Sequence, residues 1–245
     1  MKFARRLAAA FLVIYLLPAL ASAGWWYMQD RPQSWRSADW SSAGILPKTA
    51  ESPDAAIYVF SATTGGMKGA VASHAWIVTK QQGALAYNRY DKVGWGKPIR
   101  RNAYPADARW YSNAPRLVVS ITGTEASRLI PKIEAAIASY PYDAPGGYRI
   151  WPGPNSNTFV AHVLRSVPEL GAVLPPDAVG RDYLPEGKLF QIDSDGRDMH
   201  ATLYGVAGIS AGVRSGFELH FFGLVAGFDF ARPGIKIPAL GRFGI

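Results

Sequence analysis

Trp151-Pro152-Gly153-Pro154-Asn155-Ser156-Asn157-Thr158-Phe159-Val160 carries a stiff loop into the start of a helix. Pro152 and Pro154 fix φ and offer no N–H, so the backbone is restricted before the helix begins. Asn and Ser are residue types that cap helix N-termini. Behind them Phe159, Val160, Val163, Leu164 and Val167 recur at the helical period. The stretch therefore reads as a helix that starts at Asn155 to Asn157 and ends near Val167, with Pro168 beyond it. Its first turn offers unpaired N–H groups and the positive end of the helix dipole. Ser156 is thus placed where the anion of a nucleophile, or an oxyanion beside it, would be stabilised. The same residues also suffice to cap a helix and do nothing more.

Upstream, Ala55 to Ser61 and His74 to Thr79 are short apolar runs of the kind that form buried strands. Leu85 to Val93 follows Gln81-Gln82-Gly83, which predicts a hairpin, and Arg116 to Thr122 predicts a fourth strand. A helix follows from Thr124-Glu125, with Ala126, Leu129, Ile130, Ile133 and Ile137 on one face. Pro131 falls inside that pattern and is expected to kink the helix or force a late start. Downstream, Ala201 to Val213 and Phe217 to Phe230 are glycine-punctuated apolar runs read as further strands of the sheet. The expected fold class is α+β: an antiparallel sheet packed with two main helices, after an N-terminal signal or anchor segment.

His74 heads a strand, and its role turns on what lies across the hairpin. A two-residue turn at Gln82-Gly83 sets it opposite Asp91. A three-residue loop sets it opposite Tyr90, with Asn88 diagonally near. Cross-strand neighbours are within side-chain reach, and a histidine acting as base needs a partner to orient its other nitrogen. The alternative is a core histidine satisfied by backbone.

The N-terminus is a separate unit. Lys2, Arg5 and Arg6 precede an apolar run from Leu7 to Leu20, and Ala21-Ser22-Ala23 has the small-residue form of a cleavage site. The uncharged run continues to Met28, giving 22 residues, enough to cross a bilayer. Residues 1–28 therefore read as a signal peptide or signal anchor, 29–54 as a linker and 55–245 as a single α+β domain. The basic end would stay cytoplasmic. The expected location is the bacterial cell envelope, on the periplasmic side of the inner membrane, anchored or released by cleavage near Ala23.

The 245 residues include no cysteine, which excludes disulfides, thiolate metal sites and a cysteine nucleophile. No His-Glu-x-x-His or other ligand spacing is present, and the Gly65-Gly66 and Gly146-Gly147 pairs do not form a phosphate-binding loop. No metal and no cofactor are expected. The formal charge of +8 falls to +5 without Lys2, Arg5 and Arg6, and the remaining basic residues are scattered, with Arg100-Arg101 the notable pair. No nucleic acid is expected as a partner; the inner membrane is.

His74-Ala75-Trp76-Ile77, Val93-Gly94-Trp95-Gly96, the run from Trp151 to Phe159, and Pro168-Glu169-Leu170 together resemble the bacterial domain-of-unknown-function family 3750. That resemblance implies no activity. Asn155-Ser156-Asn157-Thr158-Phe159-Val160 is also similar to the Asn-Cys-Glu-His-Phe-Val motif of lecithin:retinol acyltransferase-like proteins, members of the circularly permuted papain-like superfamily. This second resemblance implies a permuted papain-like fold with Ser156 in the nucleophile's place, His74 as base, and Asp91 or Asn88 as the orienting third residue. Asn155, Asn157, Trp151 and Trp76 would then contribute to a ligand groove. A serine cannot form the thiolate–imidazolium pair of a cysteine enzyme. Two functions follow. One is a non-catalytic envelope module that binds a peptidoglycan or lipid ligand in an aromatic groove. The other is a serine-dependent amide or ester hydrolase, or an acyltransferase, acting on cell-envelope peptide or lipid. A purely structural protein, with Ser156 only a cap, is the third reading.

Overall fold

The structure, a computed structural model, describes residues 2–244. Lys2–Tyr27 forms one apolar helix of 26 residues, α1, long and apolar enough to cross a membrane. A π-helical turn over Leu12–Leu16 interrupts its regular winding. α1 fits a signal or anchor segment, yet it is also docked. The Tyr15 hydroxyl donates to the Leu219 carbonyl (3.0 Å) and Trp26 Nε1 to the Gly66 carbonyl (2.9 Å). The Ser22 hydroxyl donates to the Ala70 carbonyl.

Residues 29–54 are strapped to the loop between residues 102 and 115. Asp107 accepts from the Ser42 hydroxyl (2.6 Å) and from the Ile45 N–H (2.7 Å). The Trp40 ring meets Trp110 edge-on at 5.0 Å.

β1 (Ala56–Thr63), β2 (Ser73–Lys80), β3 (Asn88–Lys92), β4 (Ile99–Arg101) and β5 (Arg116–Thr122) form an antiparallel sheet in the order β4-β3-β2-β1-β5. β1 and β2 are buried along nearly their whole length because both faces are covered. Ile57, Val59, Ala75 and Ile77 pack against α2 (Gly123–Ala138) and α3 (Ser156–Ser166). Tyr58, Phe60, Trp76 and Val78 pack on the other side with Trp110. α2 runs through Pro131 without a break or late start. Pro131 lies on the exposed face of the helix, where water can serve the carbonyl that loses its N–H partner.

The β2–β3 hairpin takes neither expected register. Ile77 pairs with Tyr90 and Thr79 with Asn88, because residues 81–87 form a connection longer than a tight turn. Asn88 therefore sits at the far end of the hairpin, accepting from Arg101 Nη2 at 2.8 Å.

The C-terminal strands do not extend this sheet. They build a second antiparallel sheet, a seven-stranded meander: β6 (Phe190–Ile192), β7 (Asp198–Leu203), β8 (Ala207–Gly212), β9 (Gly216–Phe221), β10 (Leu224–Asp229), β11 (Gly234–Ile237) and β12 (Gly241–Gly244). Its alternation is inverted. Asp198, His200, Ser210, Glu218, His220 and Lys236 are buried, while Met199, Ile209, Leu219, Phe228, Ile235 and Phe243 are exposed. The buried face meets the first unit through Arg181, which pairs with Glu218 at 2.6 Å. Glu218 also holds Lys236 (2.6 Å). Ser210 bridges His200 (2.9 Å) and His220 (3.1 Å).

Candidate functional site

Asn155, rather than Ser156, caps α3. Its Oδ1 accepts from the N–H groups of Asn157 (2.9 Å) and Thr158 (3.1 Å). The Thr158 hydroxyl accepts from the Asn155 N–H (3.1 Å), completing a capping box. The Asn155 amide also donates to the carbonyls of Ile150 (3.0 Å) and Val179 (2.9 Å). Asn157 donates to the carbonyls of Ser73 and Val179, both at 2.9 Å. Both asparagines thus use their donors to fix the start of α3 against β2 and residue 179. The Asn157 Oδ1 is buried and unpartnered. Ser156 is the first helical residue, 3% exposed and relieved of the capping role. The Tyr148 phenol lies against it: burial raises the phenol's pKa, opposed by the Ser156 hydroxyl and N–H.

His74 is gripped from two sides. Its ring stacks on Trp110 with centroids 3.7 Å apart and planes at 7°, and its Nε2 is 2.9 Å from Asp91 Oδ1. The contact is diagonal, since Asp91 neighbours Tyr90, which pairs with Ile77. Asp91 also takes both arms of Arg89, Nε at 2.6 Å and Nη2 at 2.8 Å. The Arg89 guanidinium lies 4.0 Å over the Trp76 ring. Trp76 is fully buried and forms the platform under this chain rather than a groove wall.

Burial alone would raise the Asp91 carboxyl, but the Arg89 charge and the bonds from Arg89 and His74 outweigh it and bring its pKa to about 2. Burial is also the largest influence on His74, and it lowers the ring's pKa against the pull of Asp91. His74 is then neutral near pH 7. A carboxylate only accepts, so Nε2 carries the proton and Nδ1 keeps its lone pair.

The side chains of His74 and Ser156 both line one cleft of about 680 Å³, together with Trp110, Tyr148, Trp151 and Phe222. α3 packs on the side of Ala75 and Ile77, whereas His74 shares its side with Trp76 and Val78. No hydrogen bond links the two among the described residues. Trp151 stands at the rim, half exposed, stacked on Phe222 at 5.6 Å and donating to the Phe222 carbonyl at 3.1 Å. Among the described residues no three carboxylates or imidazoles are grouped to hold a metal ion.

The site also holds Arg89, Trp110 and Tyr148, which the sequence analysis does not single out. Arg89 had a readable signal, because residues two apart in a strand share a face and an Arg–Asp pair there predicts an ion pair. Trp110 and Tyr148 come from irregular segments, which carry no periodicity to read.

No curated protein and no solved structure matches the chain. The model of the protein family of unknown function DUF3750 matches residues 54–183, which hold His74, Arg89, Asp91, Tyr148 and Ser156 and stop short of the seven-stranded sheet. Since that match covers more than half of the chain, the protein belongs to the DUF3750 family.

Proposed function

We propose that the cleft binds an amphipathic cell-envelope ligand, a peptidoglycan peptide or a lipid, without turning it over. The chain would sit at the periplasmic side of the inner membrane, held there by α1. The observation that carries this reading is the cleft itself. Trp151, Ile150, Phe222 and Leu224 make an apolar rim above a polar floor of His74, Tyr148 and Ser156, the composition of a site for a ligand with an apolar part and a polar end. That no hydrogen bond joins His74 to Ser156 among the described residues favours binding over turnover. Full-length protein in detergent, titrated with fluorescent phospholipid and with fluorescent muropeptide, tests it. Trp151→Ala should weaken binding of one of them about tenfold, ~1.4 kcal/mol, while Ser156→Ala leaves the affinity nearly unchanged. Unaltered affinity in Trp151→Ala, or no binding of either probe, overturns the reading.

A catalytic reading is favoured by one observation, His74 Nε2 held 2.9 Å from Asp91 Oδ1, which leaves Nδ1 free of that bond. In that reading the Ser156 hydroxyl attacks a carbonyl and loses its proton to His74, which returns it to the leaving amine or alcohol. Water or an acceptor alcohol then releases the acyl group from Ser156. A fluorophosphonate that labels the native chain, and labels neither Ser156→Ala nor His74→Ala, would establish it. Label retained in Ser156→Ala removes it.

A further inference from the structure

The seven-stranded sheet has the polarity of a protein whose outer solvent is hydrocarbon. Every strand presents an apolar residue outward, among them Met199 at 45% exposure, Ile209 at 46%, Phe228 at 44% and Ile235 at 55%. Across the strands Met199 pairs with Ala211, Ile209 with Leu219, and Phe228 with Phe217 and Ile235. No outward position on any of the seven strands carries a polar side chain. The face turned inward is the charged one, with Asp198 and Glu218 each 1% exposed. In water an antiparallel sheet places these faces the other way round, and soluble monomers rarely expose an apolar patch of this extent.

α1 lies on the same face. Phe11 packs edge-on against Phe221 at 4.9 Å and Tyr15 bonds across to Leu219. Its contacts continue to Ser22 and Trp26, so the helix follows the protein along most of its apolar length. Its free side, including Leu7, Val13 and Leu20, is exposed as well. Helix and sheet therefore form one continuous apolar surface at a common depth.

We propose that the outward face of the seven-stranded sheet is immersed in the lipid bilayer together with α1. The sheet is open, and the outer edges of β6 and β12 carry backbone groups that hydrocarbon cannot satisfy. It therefore enters by its face, with its edges at headgroup level, rather than crossing the bilayer. Asp195, Arg197 and Arg232, in the turns at one end, are exposed and suited to that polar layer. This inference rests on membrane association of the chain and not on what the cleft binds.

The chain lacks cysteine, so single-cysteine variants report one position each. Full-length Ile209→Cys, Phe228→Cys, Ile235→Cys, Leu20→Cys and Gln81→Cys would each carry an environment-sensitive fluorophore. They would be reconstituted in phosphatidylethanolamine–phosphatidylglycerol vesicles containing nitroxide-labelled acyl chains. The three sheet labels and the Leu20 label should shift to the blue and be quenched by the nitroxide, while the Gln81 label stays aqueous. Quenching at Leu20 with aqueous sheet labels overturns the inference and leaves α1 as an anchor. A blue shift that needs no lipid and grows with protein concentration also overturns it, assigning the face to a second copy of the chain.

Discussion

Arg89, Asp91 and His74 form a chain in which each group fixes the next: Trp76 seats the guanidinium, the guanidinium fixes the carboxylate, and the carboxylate orients the ring. The pH dependence of stability follows from this arrangement. His74 titrates near 6.5 when unfolded, and burial holds its folded value lower. Unfolding then takes up a proton, so stability falls as pH drops below about 6.5. Asp91, brought from 3.8 to about 2, extends the loss below pH 4. Burial depresses His162 in the same way, so the informative readout is the difference between native protein and His74→Gln. Urea unfolding between pH 7 and about 5 should show a shallower decline in the variant; parallel curves would mean that His74 is not depressed. At this scale the sequence exposed the right types and left the choice among them open. Three adjacent polar residues were all competent caps, and only the geometry of Asn155 decides between them. Asp91 reached His74 in a register that neither hairpin length allowed, because the connection is not a tight turn.

Among the elements, the turns of the second sheet are the least ordinary. Phe222-Gly223 joins β9 to β10 as a two-residue hairpin with φ of +52° and +82°. Tyr204-Gly205 begins the β7–β8 turn with φ of +52° and +73°. Positive φ at the first position suits Asn or Gly and strains a bulky aromatic. Tyr204→Asn should raise stability by about 1 kcal/mol in thermal unfolding of the detergent-solubilised chain. Phe222→Asn should gain less, because it also discards the ring stacked on Trp151. Equal gains would show that the stacking contributes nothing. These turns also explain what the sequence concealed. The aromatics leave no Asn-Gly signal, so the strands fuse into two long apolar runs. The helices were legible by contrast, since the stripes of α2 and α3 are interrupted only at Pro131, a position facing solvent.

For the molecule as a whole, Glu218 is the joint. It receives Arg181 from the first unit and Lys236 and His220 from its own sheet, and the Arg181 charge, with the bond from His220 and the Lys236 charge, holds its carboxyl well below the ordinary range despite burial. Removing one member of a buried ionic set leaves the others uncompensated. Glu218→Ala should therefore cost about 3–5 kcal/mol in chemical unfolding, and a loss within ~0.5 kcal/mol would mean that the two units are held by something else. The polarity of this sheet was beyond sequence reading for a simple reason. A period of two states that the faces differ and not which one is inside, so an inverted sheet and an ordinary one share a pattern. The docking of α1 bears on maturation as well. Scission after Ala23 would strip Ser22 from Ala70 and leave Gly24 to Tyr27, a single turn too short to persist alone. The Trp26 anchor would then have no rigid support on the Gly66–Ala70 turn, whose Lys68 forms part of the cleft wall. A protease acting there would thus part the chain from α1 and reshape the cleft in one event, making proteolytic processing and the form of the cleft two readings of the same bond.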